Sequence, residues 1–149
     1  MSFKQYLIQT EESYKEEIKK TLNKLPKGHA ALIKGFKFEF QGESTLKNDS
    51  GHVGLIDVNK KKIVIAAPWN YGREWTLLHE LGHLIWEQFV TVDLMKTWKE
   101  IVKKTKIKKE DKQPPEEMFA HAYASHYAKN QIVKFDFPKW HNFIKNLHS

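Results

Sequence analysis

Cysteine is absent from the 149 residues, arginine occurs once, at Arg73, and no unbroken apolar stretch is long enough to cross a bilayer. Without cysteine there is no disulfide to staple the fold and no thiolate to hold a metal. Any zinc site must therefore use imidazole and carboxylate. With a single guanidinium, the chain has little of the side chain that most often reads base edges, and specific nucleic-acid binding is not expected. The missing apolar run excludes a transmembrane helix, so no membrane partner is expected. Residues Met1 to Lys24 are amphipathic and charged, which is not the pattern of a signal peptide. A cytoplasmic location is the default expectation, and export or delivery without a cleaved signal stays compatible with the sequence.

What is present describes a folded domain. At 149 residues, 40% hydrophobic and 29% charged, the chain is long and apolar enough to bury a core. A single domain over 1–149 is expected, with a sheet and a central helix in 1–90 and a helical part in 91–149. The formal charge of +7 comes almost entirely from lysine. Lys96, Lys99, Lys103, Lys104, Lys106, Lys108, Lys109 and Lys112 crowd one segment, where a solvated face is the simpler reading and a docking patch for acidic partners the alternative.

The chemistry concentrates in Trp75 to Trp86, which contains His79-Glu80-Leu81-Gly82-His83. The apolar run around it reads as a helix, on which His79 and His83, four apart, share a face and can offer two imidazoles to one ion. Glu80 projects about 100° away, within reach of a water on that ion, the placement of a general base. Leu77, Leu78, Leu81, Leu84, Ile85 and Trp86 surround the motif and imply burial, and two histidines and a glutamate are costly there unless something satisfies them. Gly82 costs about 1 kcal/mol inside a helix, which points to a close approach by another element.

The rest of the chain supplies the frame. A first helix is expected over Phe3 to Leu25, ended by Pro26. Strands are expected within Ala31–Phe40, His52–Val58 and Lys62–Ala67, with Asn59-Lys60-Lys61 as a hairpin turn. Helices follow over Val92–Lys106 and from Glu116 to Tyr127, the latter after Pro114-Pro115. The expected class is α+β: a small, mostly antiparallel sheet packed against the N-terminal and His-Glu-x-x-His helices, followed by a helical part. A protein or peptide substrate could add as a strand near His52–Leu55. His29 reads as structural or exposed, and His126 as structural.

Glu117 and His121 share a face of the later helix among Phe119, Ala120, Ala122 and Ala124. A carboxylate buried there needs a partner, and a zinc ion is a good one, so Glu117 is the expected third ligand. His121 is the alternative ligand, or a group that orients the site. Glu116 at the helix start reads as a surface acid.

His79-Glu80-Leu81-Gly82-His83 followed by Glu117-x-Phe119-Ala120-x-Ala122-Tyr123 resembles the metallopeptidase domain of anthrax lethal factor and the Pro-Pro endopeptidases, which are zincins. The likeness extends to Lys62–Pro68 and to Pro138–Ile144, about two thirds of the chain. It implies a zinc endopeptidase with His79, His83 and Glu117 as ligands to one ion and Glu80 as general base. Two departures stand out: His121 occupies a position that is an acid in that family, and Glu110 stands where its catalytic tyrosine is expected. Tyr71 and Tyr123 are the nearest phenols. Arg73-x-Trp75-Thr76-Leu77-x-His79-Glu80-Leu81-Gly82-His83, with Glu117, Ala120, Tyr123 and Ala124, is also similar to the cytoplasmic repressor-cleaving proteases of mobile elements, the ImmA/IrrE type. A partner-binding protein on a catalytically weak zincin scaffold is the reading from another class.

Overall fold

Lys62–Ala67 (β3) is the strand on which the sheet is built, flanked by Lys37–Gly42 (β1) and Gly54–Asp57 (β2) in the order β1-β3-β2. The computed structural model describes residues 16, 18–42, 54–67, 73–128 and 135–147. Ile63, Val64 and Ile65 are all buried, the signature of a central strand covered on both faces. Phe38 and Ile56 sit opposite Ile63 in the register of the two neighbours, forming one apolar row across the sheet.

The sheet is mixed, which corrects the expectation of a mostly antiparallel one. β2 and β3 are antiparallel because four residues, 58–61, join them. Lys60 N–H donates to Asp57 Oδ1 at 3.0 Å, and Lys61 takes a left-handed φ of 50° to complete the turn. β1 joins the other edge of β3 in parallel over six residue pairs. Alternation marks a strand but carries no information about its direction.

Upstream, helix α1 is seen at residues 18–23 and ends before Pro26, as expected; the part assigned to Phe3 onward lies outside the described residues. Residues 31–36, read from sequence as the start of a strand, are not extended. Lys27–Ala31 form a short helix (α2), and Gly35, with φ of 85°, turns the chain into β1.

Arg73–Phe89 (α3) carries the His-Glu-x-x-His motif and lies against β2 and β3, with Leu77, Leu78, Leu81 and Ile85 at 2% exposure or less. Val92–Lys104 (α4) starts at Thr91, whose Oγ1 accepts from Leu94 N–H at 3.3 Å. The lysines of this segment are all exposed. After a 3-10 turn at Lys109–Asp111 comes Pro115–Tyr127 (α5), which packs on α3 and α4, and then Pro138–Lys145 (α6). Trp98 of α4 is fully buried and donates its Nε1–H to the Pro115 carbonyl at 2.8 Å, so α4 fixes where α5 begins. Among the described residues, no helix is long and apolar enough to cross a membrane.

Candidate metal centre

The centre forms where α3 crosses α5. A Cβ built on Gly82 would lie 2.9 Å from Ala120 Cα and 3.3 Å from its carbonyl oxygen, so only glycine lets the two backbones meet this closely. His79 and His83 lie three residues before and one after Gly82. Glu117 and His121 lie three before and one after Ala120. The contact point therefore sets four polar side chains on one side of the crossing.

Three of them converge. Glu117 Oε1 is 2.7 Å from His79 Nε2, and Glu117 Oε2 is 3.1 Å from His83 Nε2. One donor atom from each of His79, His83 and Glu117 falls within 4.8 Å of the others. Zinc–nitrogen and zinc–oxygen bonds near 2.1 Å place tetrahedral ligands about 3.4 Å apart. The contacts of Glu117 with His83 and His79 are short of that by roughly 0.3 and 0.7 Å, so the trio would open to admit an ion, and its two imidazoles and one carboxylate are donors that zinc accepts. His83 and Glu117 are the more exposed members at 28% and 27%, against 12% for His79, so the centre opens to solvent on their side.

The groups are strongly coupled. Burial pushes the His79 imidazole down, but the hydrogen bonds and negative charge of Glu117 and Glu80 outweigh it and raise its pKa to about 9. Hydrogen bonds from His79 first, and then from His83, hold the Glu117 carboxyl well below the usual carboxylate range although burial opposes them.

Glu80 is buried at 9% exposure, with Oε1 3.4 Å from His79 Nδ1, at the ring edge remote from Glu117. His121 Nε2 is 3.8 Å from Glu117 Oε1. Two aromatic rings, neither of them among the expected site residues, confine the imidazoles. Trp75 stacks on His79 at 5.2 Å and on His121 at 5.4 Å, while Phe135 lies flat on His121 at 4.3 Å. Trp75 precedes His79 by four residues, a spacing that foreshadows the contact; nothing local foreshadows Phe135.

The phenol expectations are not met by Tyr123. Its ring is fully buried and its hydroxyl is 3.0 Å from His29 Nδ1, a contact between α2 and α5 inside the core. Burial first, and then Tyr127, push its pKa far up, so it stays a neutral core group. Glu110 is exposed in the 3-10 turn, Glu116 is exposed on α5, and Tyr71 lies outside the described residues. His126 stands apart from the trio, with Nδ1 2.9 Å from Nδ1 of His141, which is hydrogen-bonded in turn to Asp136. No family model matches the chain, and neither a search of curated proteins nor one of solved structures returns a match.

Proposed function

We propose that the chain is a zinc-dependent endopeptidase with one zinc ion held by His79, His83 and Glu117. The observation that carries this is the convergence of two Nε2 atoms and one carboxylate across the α3–α5 crossing. Zinc bound there would lower the pKa of water toward about 7 and polarise a scissile carbonyl. His79 and His83 give up their Nε2 hydrogens to serve as ligands, and Glu117 supplies the one negative charge among the three. Glu80, which is not one of the trio, takes the proton of the attacking water and returns it to the leaving amine. The ring of Trp75 stacks on His79 and holds it against rotation, so this ligand needs little reordering. β2, at an edge of the described sheet and packed against α3, is where an extended peptide would add. On this reading a peptide would add from Gly54 onward; His52 and Val53 of the expected edge lie outside the described residues. Both resemblances noted in the sequence imply the same ligand trio, and the proposal needs only what they share.

The test is a peptide library incubated with the zinc-loaded protein, with its chelated form, and with Glu80→Gln. Cleavage that the chelator stops and Glu80→Gln lacks, with zinc still bound at one equivalent by that variant, is the expected result. Cleavage retained by Glu80→Gln removes the general base from the scheme.

A second reading, a zinc-bound scaffold that binds a partner and does not cleave, is favoured by two features. Glu80 lies on His79 Nδ1, and the Tyr123 hydroxyl is turned into the core. Stoichiometric zinc with no cleavage in the same library would establish it.

A further inference from the structure

Glu117 holds two contacts that a bound metal would abolish. Its Oε1 faces His79 Nε2 at 2.7 Å and its Oε2 faces His83 Nε2 at 3.1 Å. An imidazole nitrogen bonded to a metal carries no hydrogen, so neither donor survives loading of the zinc centre proposed above, on which this inference rests. A carboxylate that gives one oxygen to the metal keeps the other, and a half-buried oxygen stripped of its donor is costly.

His121 is the group placed to replace that donor. It lies one turn after Glu117 on the same face of α5, with Nε2 3.8 Å from Oε1. Its ring is fixed by the face of Phe135, tilted only 5° from it, and by Trp75, both buried. The imidazole edge therefore stays aimed at Glu117. We propose that His121 is a positioning residue: its Nε2–H takes over Oε1 as the metal displaces the His79 proton, so that Glu117 presents Oε2 as the ligand. An acid in this place, as the lethal-factor resemblance implies, has no hydrogen to offer a carboxylate when ionised; an imidazole has.

Two variants separate the ring from the donor. His121→Phe keeps an aromatic ring between Phe135 and Trp75, and His121→Gln keeps an N–H near the position of Nε2. Zinc affinity is read by competition with a chromophoric chelator, coordination by the visible spectrum of the cobalt(II) form, and folding by melting of the metal-free protein. The phenylalanine variant is expected to melt with the parent when metal-free yet to bind zinc about 10–100-fold more weakly. Glutamine should recover most of that loss, and the cobalt spectrum should keep its shape in all three proteins. Parental affinity in His121→Phe overturns the proposal. So does a cobalt spectrum that changes coordination in both variants, which would make His121 itself a ligand. If the parent binds zinc no better than His83→Ala, it is the zinc reading that fails, a result distinct from either. Should His121→Phe not fold, His121→Met replaces it as the partner of His121→Gln, matching its length without the donor.

Discussion

His79 is gripped at both ring nitrogens, by Glu117 on Nε2 and Glu80 on Nδ1, and without metal that grip makes it a cation. The consequence for stability has a definite sign. A histidine whose folded pKa is raised to about 9 stabilises the fold fully below its unfolded value near 6.5, and that contribution is lost as pH rises through 9. Glu117, held low, contributes above its ordinary value of 4.5 and loses that contribution as pH falls. The chelated protein should accordingly melt highest at about pH 5–6.5 and progressively lower toward pH 9.5. A melting temperature that stays flat from pH 6.5 to 9.5 would contradict the pairing. Zinc-loaded protein should instead hold its stability as pH rises above neutral and lose it as pH falls, because protons compete with the metal for the same nitrogens. Glu117→Ala removes the only charged ligand and should leave zinc substoichiometric after gel filtration, as measured by metal analysis. One equivalent retained would transfer the third position to His121.

At the scale of elements, the α3–α5 crossing can be tested through Gly82. Alanine normally gains about 1 kcal/mol over glycine within a helix. Here its methyl would stand 2.9 Å from a backbone carbon that cannot swing aside, and overpacking of that kind costs about 1–3 kcal/mol. The clash should win, and Gly82→Ala should melt lower and bind zinc more weakly together; an unchanged melting temperature would show that separating the helices costs no more than alanine gains. This crossing was legible in the sequence, since a glycine within a run of leucines on a helix asks for a neighbouring backbone. His79/His83 and Glu117/His121 were legible for the same reason, each pair being set by local helical spacing. The parallel entry of β1, the Phe135 ring over His121 and the inward hydroxyl of Tyr123 were not. Each depends on where a distant segment arrives, and no periodicity within a short window encodes that. The lysines of α4 are exposed because Trp98 and its apolar neighbours claim the opposite side, an arrangement that a solvated face and a docking patch share.

For the whole molecule, the proposed ligands come from two helices, with 38 positions of sequence between His79 and Glu117. Binding a metal to both stabilises the folded chain by mass action. At free zinc of about one hundred times Kd the gain is roughly 2.7 kcal/mol, which for a chain of this size is a rise of roughly 5–10 °C in melting temperature. Chelation should reverse it, as followed by circular dichroism; coincident melts with and without zinc would mean that the trio holds no ion. The contact of Gly82 with Ala120 adds something further. Because both pairs of polar side chains are counted from that single point of touch, sliding one helix past the other by even one residue would carry every donor out of alignment at once. Assembly of the centre is thus all-or-none, and a partly docked α5 offers a metal two histidines and nothing more.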